Sequence, residues 1–212
     1  MSAAPFFSVV IPVYDRASLL GHALRSVLSQ SDQDFEIIVI DDGSHDDPKA
    51  VMNSFNDPRI RFVRQENGGG GAARNAGIDK ARGRFVAFLD SDDAFMPGHL
   101  QTMRRLLAET ANTAGYARVI VDRKIGRTFL KPPRAIAVGE DMATYLLCDL
   151  GFTPTSTLVV PADLAKQIRF HEALSEAEDT DFAVRLFLAG CRFVMAETVG
   201  AIWNDRYDPN RL

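Results

Sequence analysis

Three mostly apolar runs, Phe7 to Val13, Phe35 to Ile40 and Arg84 to Leu89, each stop abruptly at a polar cluster. Runs with so little polar alternation suit strands buried on both faces, which in turn need helices on both sides of the sheet. The intervening sequence supplies such helices. Leu20, Ala23, Leu24, Val27 and Leu28 recur at helical spacing. Asp47-Pro48 reads as a helix start, because proline fits the first helical position, where its missing N–H is not needed. Arg59 to Val63 is a shorter strand, and Ala72 to Arg82 a helix closed by Gly83. The resulting β-α-β-α-β-α-β order predicts a parallel sheet flanked by helices, with right-handed crossovers. Functional loops of such sheets lie beyond the carboxyl ends of the strands. Pro12 to Asp15, Asp41 to Ser44 and Asp90 to Asp93 should therefore meet on one edge, although far apart in sequence.

The remaining sequence is less regular. Pro97 opens a helix carrying Leu100, Met103, Leu106 and Leu107, and Gly115 to Asp122 reads as a strand. Arg123 to Arg134 is a basic connection containing Pro132-Pro133, either a lid over a bound ligand or a solvated loop. Gly139 to Asp149 is expected helical, Ser156 to Val160 extended, and Ala162 to Ile168 a short helix. A stronger helix spans Glu178 to Ala189, stopped by Gly190, and Cys191 to Ala196 returns as a strand. No clean linker divides the chain, so residues 1–95 and 96–212 read as two lobes of one unit. The length of 212 residues suits one sizeable α/β domain. A net charge of −4 without a block of one sign argues against general nucleic-acid binding. The apolar stretch from Phe6 to Val13 is too short for a membrane span, and no basic region precedes it. Cys148 and Cys191 lack metal-ligand spacing and read as reduced core thiols. A soluble cytoplasmic protein is expected, with a peripheral membrane contact left open.

Four polar segments could carry chemistry, each with a plainer explanation beside it. Asp90, Asp92 and Asp93 crowd one turn, where a divalent cation would relieve their repulsion, but Asp92 or Asp93 could equally cap the next helix. Asp41-Asp42-Gly43-Ser44 could accept hydrogen bonds from a base or ribose, or simply turn the chain. Asn67 to Gly71 holds four glycines ahead of Ala72-Ala73-Arg74-Asn75. Such a run can cradle phosphate at a helix start or act as a flexible turn; it matches neither a dinucleotide fingerprint nor a Walker loop. Glu176 to Asp181 either stabilises a helix dipole or offers a general base.

In order and spacing, these segments resemble the inverting, GT-A fold glycosyltransferases of family 2. The similarity is carried by Ser8 to Asp15, Ser26 to Gln30, Phe35 to Ser44, Asn67-Gly68-Gly69, Ala73 to Gly77, Phe88-Leu89-Asp90-Ser91-Asp92-Asp93 and Glu178-Asp179-Thr180-Asp181-Phe182 with Arg185-Leu186. It covers roughly residues 6 to 195. It implies a GT-A-like, mostly parallel Rossmann-type sheet, with residues 1–95 as the nucleotide-sugar half and 96–212 as the acceptor half. By the same resemblance Pro12, Tyr14 and Asp15 line the base and ribose, and Asp42 accepts from the base ring N–H. Arg74 lies near the diphosphate. Asp90 contacts the ribose or the metal's water shell, Ser91 joins the nucleotide-sugar set, and Asp92 of the DXD motif ligates Mn2+ or Mg2+. Asp179 is the catalytic base. The donor would be a nucleotide sugar, UDP being favoured over GDP or dTDP, and the acceptor a carbohydrate or lipid-linked carbohydrate; a homodimer stays open. The tail Ile202-Trp203-Asn204-Asp205-Arg206-Tyr207 lacks the histidine that some members place near the metal, and the Gln-x-x-Arg-Trp signature of processive synthases is absent. Two rivals are a nucleotidyltransferase, which needs a basic glycine-rich loop after the first strand, and a non-catalytic nucleotide-sugar-binding module.

Overall fold

A computed structural model describes residues 4–123 and 128–205. Among them, nine strands form one sheet in the order β3-β2-β1-β4-β8-β6-β9-β5, with β7 paired to β6 on the edge opposite β9. The strands are β1 Phe7–Val13, β2 Phe35–Asp41, β3 Ile60–Arg64, β4 Phe85–Phe88, β5 Ala94–Phe95, β6 Thr113–Asp122, β7 Thr128–Lys131, β8 Val159–Pro161 and β9 Arg192–Asn204. The helices are α1 Ala17–Leu28, α2 Pro48–Asn53, α3 Gly69–Lys80, α4 His99–Leu107, α5 Ala162–Ile168 and α6 Glu178–Leu188. The first four strands pair in parallel, as the alternation of elements requires. Beyond them the sheet is mixed: β8 runs antiparallel to both β4 and β6, whereas β6 and β9 are parallel.

Strand alternation divides the core between the two faces. Phe7, Val9, Ile11 and Val13 of β1 pack with Leu20, Leu24 and Val27 of α1 and with Leu100, Met103 and Leu107 of α4. Val10 points the other way, towards Ala73 and Ile78 of α3, Leu164 of α5 and Phe182 and Leu186 of α6. Each such fully buried aliphatic side chain contributes about 1.5–3 kcal/mol. At Gly77 α3 lies so close to β1 that an added Cβ would stand 2.3 Å from Val10 Cγ1. Helix α2 begins as expected, with Asp47 accepting from Ala50 N and Pro48 inside the first turn.

Several expectations need correction. Helix α3 starts within the glycine run, at Gly69 rather than Ala72, because Asp42 accepts from its first N–H groups. Gly139 to Asp149 is not a full helix: only a π-helical turn, Thr144–Cys148, forms. Met142 and Tyr145 are its buried anchors, while Leu147 and Leu150 face solvent. Ser156 lies in a 3-10 turn, Thr155–Thr157, that precedes the extended β8. The basic connection is not wholly a loop, since Thr128 to Lys131 pairs with β6; residues 124–127 fall outside the described residues. Strand β9 runs on to Asn204 because β6 offers it a partner along its length. Cys191 is buried as expected, but Cys148 is exposed. Among the described residues, no helix is long and apolar enough to cross a membrane.

Candidate functional site

Because β1, β2 and β4 are parallel neighbours, the segments that follow them meet at one edge. The first two are stitched together by backbone capping. Asp15, with φ of 49°, turns its N–H to Ser44 Oγ at 3.1 Å. Its carboxylate accepts from His45 N at 2.6 Å and lies 3.0 Å from His45 Nδ1, contacts that lower its pKa. Asp46 Oδ2 accepts from Ala17 N at 2.7 Å, satisfying a donor at the start of α1 that Arg16 leaves uncapped. Within the second cluster, buried Asp41 accepts from Ser44 N and from Arg64 Nη1.

Asp42 holds the glycine segment. Its Oδ1 accepts from Gln65 Nε2 at 2.7 Å and Gly68 N at 3.0 Å, and its Oδ2 from Gly69 N at 2.8 Å. A carboxylate offers about four lone-pair positions, so these three bonds leave one on Oδ2 for a further donor. The result is a cleft of about 390 Å3 lined by Pro12, Tyr14, Asp42, Arg74, Asp90 and Ser91, among others. Six of the residues singled out in the sequence thus share one concavity. Tyr14 is 44% exposed, leaving its ring available at the rim. Asp15 and Asp92 are not in this lining. Asp15 faces His45, and Asp92 Oδ2 accepts from Arg16 Nη1 at 3.0 Å.

A second cavity, of about 480 Å3, adjoins the first. Arg74 and Asp90 line both, and Asp179, Glu178 and Glu176 line the second. Arg74 is buried on α3, donating from Nη1 to Glu178 Oε1 at 2.8 Å and from Nη2 to Asp90 Oδ1 at 2.7 Å. Its guanidinium also lies over the Phe170 ring, and its Nε has no hydrogen-bond partner. Burial alone would lower the Arg74 pKa, but the charges of Asp90 and Glu178 outweigh it and raise it. Asp179 sits in the first turn of α6, with Thr155 Oγ1 3.4 Å from Oδ2. Burial, then the charge of Glu178, pushes its carboxyl above the usual range, with Arg74 opposing. Asp181, from the same acidic run, pairs instead with Arg185 along the helix.

The acidic turn does not cap α4, whose N-cap is Gly98 with no side-chain cap. Asp93 Oδ2 accepts from Ser156 Oγ at 2.5 Å, and Oδ1 from Asn204 N at 2.9 Å. The Asn204 side chain also donates to the Asp92 carbonyl. Burial, followed by the charges of Asp90 and Asp92, drives the Asp93 carboxyl well above its ordinary value. Among the described residues, no group of three or more His, Cys, Asp or Glu could hold a metal by itself. The sequence alone assigns no role to Arg16, Gln65, Ser156 or Asn204, and it places Glu178 only in the acidic first turn of α6, not opposite Arg74. Arg16 could have been found from its place beside Tyr14-Asp15; Ser156 and Asn204 reach the cluster from 63 and 111 residues away and leave no local signal. Of the tail, Trp203 and Asn204 complete β9, while Arg206 and Tyr207 lie outside the described residues.

Comparison with known proteins follows the same residues. The sequence matches the model of glycosyl transferase family 2 over residues 8–155. It is 36% identical to the amylovoran biosynthesis glycosyltransferase AmsB of Erwinia amylovora, across 89% of this chain and 66% of AmsB. It is 35% identical to the succinoglycan biosynthesis protein ExoW of Rhizobium meliloti, across 92% of this chain and 67% of ExoW. The fold is similar to residues 1–349 of S. aureus TarS in complex with UDP-GlcNAc, with a TM-score of 0.79 and 23% identity over 95% of this chain and 59% of that one. At that identity the likeness is one of fold. The chain thus spans about two thirds of the length of the two sequence relatives.

Proposed function

Since the chain belongs to glycosyl transferase family 2, we propose that it moves a sugar from a UDP-sugar to a hydroxyl of a carbohydrate acceptor, with inversion at the anomeric carbon. The observation that carries this reading is the pair of cavities sharing Arg74 and Asp90. One has Tyr14 at its rim and a spare acceptor position on Asp42, suited to a nucleotide base. The other has a half-buried aspartate whose carboxyl is held above the usual range, suited to proton abstraction.

In this mechanism Arg74, at the shared wall, faces the diphosphate. Asp179 takes the proton of the acceptor hydroxyl while that oxygen attacks the anomeric carbon from the face opposite the diphosphate. The C–O bond to the diphosphate breaks, and UDP leaves with the bonding pair. Asp90 and Asp92 provide the hard oxygen donors that Mg2+ or Mn2+ prefers, and a cation of this kind is commonly held by one or two carboxylates together with substrate phosphates. The chemistry of these two carboxylates would suit such an ion. When bound, the ion supplies Lewis-acid stabilisation of the leaving charge. Residues 1–95 would then serve the donor and 96–212 the acceptor, at the cytoplasmic side where nucleotide sugars are available, with lipid-linked carbohydrate among the acceptors.

A melting-temperature screen of UDP-, GDP- and dTDP-sugars with Mn2+ or Mg2+ tests the donor, because ligand binding stabilises by mass action. Stabilisation by UDP-sugars is expected; none with any carrier would sink the reading. Asp179→Asn should keep that stabilisation and lose transfer. Full transfer by this variant would remove Asp179 from the role of base. Binding without turnover across a donor panel would point instead to a non-catalytic module.

A further inference from the structure

The second cavity has an aromatic lining that the steps above leave unused. Phe152 and Trp203 stack with ring centroids 5.6 Å apart and planes 27° apart, and both rings line the cavity that contains Asp179. Both are half-buried and rest on the core beneath them. Each is tied to the acidic site through its own chain segment. Trp203 precedes Asn204, whose N–H bonds Asp93; Phe152 lies three residues before Thr155, whose hydroxyl approaches Asp179. Lys131 Nζ lies 5.2 Å and 5.6 Å from the two ring centroids, bracing the pair. The position is therefore fixed relative to the carboxylates.

From this juxtaposition we infer that Phe152 and Trp203 seat the sugar ring of the acceptor, and that this sugar is a neutral pyranose. A pyranose presents an apolar C–H surface and a rim of hydroxyl donors. The rings match the first, because aromatic faces are electron-rich and large in area. The carboxylates match the second. Asp90, Glu176, Glu178 and Asp179 outnumber Arg74 in the lining and Lys131 beside the rings, an acidic excess that disfavours a uronate or phosphate in the same place. The inference rests on the glycosyltransferase reading for the identity of the ligand as acceptor, and on the rings and charges for its chemistry.

Trp203 is the chain's single tryptophan, so its emission reports this site alone. The experiment titrates protein, with UDP and Mn2+ present, using methyl glycosides of glucose, galactose, N-acetylglucosamine and glucuronic acid. A saturable change is expected with at least one neutral glycoside. The glucuronoside should bind about fivefold or more weakly. Phe152→Leu should weaken the neutral glycoside by about tenfold, while retaining the melting-temperature rise with UDP that certifies its fold. Saturation-transfer NMR on Trp203→Leu, which loses the fluorophore, should show the sugar signal lost. Stabilisation by UDP with no response to any neutral glycoside would overturn the seat and leave the donor reading standing. A glucuronoside that binds more tightly than every neutral glycoside would overturn it as well. Saturation by neutral glycosides without stabilisation by UDP would support the sugar seat while the glycosyltransferase reading fails.

Discussion

Removing the Asp42 carboxylate tests whether the glycine segment is ordered by this one side chain. Asp42 is 3% exposed, and it accepts from Gln65 Nε2, Gly68 N and Gly69 N. Hydrogen bonds to a charged group are each worth about 1.5–3 kcal/mol net when buried. Here Gly68 and Gly69 are exposed and regain water when the carboxylate goes, so the loss per bond falls towards that of a helix cap, about 1 kcal/mol. Summed over the three partners, Asp42→Ala should cost about 2–4 kcal/mol. Asp42→Asn should cost about 1–2 kcal/mol, because one amide oxygen can keep Gln65 and Gly68 while the NH2 group faces the Gly69 donor. Urea unfolding of the ligand-free protein measures both, and the expected order of stability is wild type, Asn, Ala. UDP affinity should fall in both variants, since the glycine segment lines the same cleft as Tyr14. If Asp42→Ala unfolded within about 0.5 kcal/mol of wild type, the size of an ordinary surface substitution, the carboxylate would not be holding the segment and the reasoning would fail.

Gly77→Ala should destabilise the protein by about 2–3 kcal/mol, because overpacking against Val10 exceeds the helix-propensity gain of about 1 kcal/mol. Adding Val10→Ala removes the methyl groups it would strike, so the double variant should be more stable than the sum of the singles; strict additivity would refute the clash. His99 is buried and its pKa is pushed down to about 3 by desolvation, against 6.5 for the free side chain. It therefore stays neutral when folded and protonates when unfolded, so its contribution is present above pH 6.5 and is lost as pH falls. At pH 5 the loss is about 2 kcal/mol relative to neutral pH. Comparing urea unfolding at the two pH values, in wild type and His99→Leu, isolates this increment, which should vanish in the variant. If Asp179 is the proposed base, its raised pKa should place the acid limb of transfer at a higher pH than an ordinary aspartate would give, because a base must be ionised to take the proton. Glu178→Gln removes a charge that raises it, so the limb should move to lower pH in the pH–rate profile; an upward move would contradict the assignment.

Local pattern was enough to place the elements of the first half and the edge on which the polar clusters gather. Apolar runs such as Val9-Val10-Ile11 can only be satisfied between two helical layers, and a parallel order then brings Tyr14, Asp42 and Asp90 together. That signal is local and periodic, so it is legible without neighbours. Tertiary structure decided what each carboxylate does. Asp42 became the organiser of α3, Asp93 the partner of Ser156 and Asn204, and Asp92 the partner of Arg16. It also set β8 antiparallel between β4 and β6, bringing the Thr155–Thr157 turn to the acidic site. The link between the cavities, Arg74 to Glu178, spans 104 residues and joins two helices with no shared periodicity. Such pairings arise from how finished elements pack, where burial forces each polar group to find a partner, and no window of sequence contains both ends.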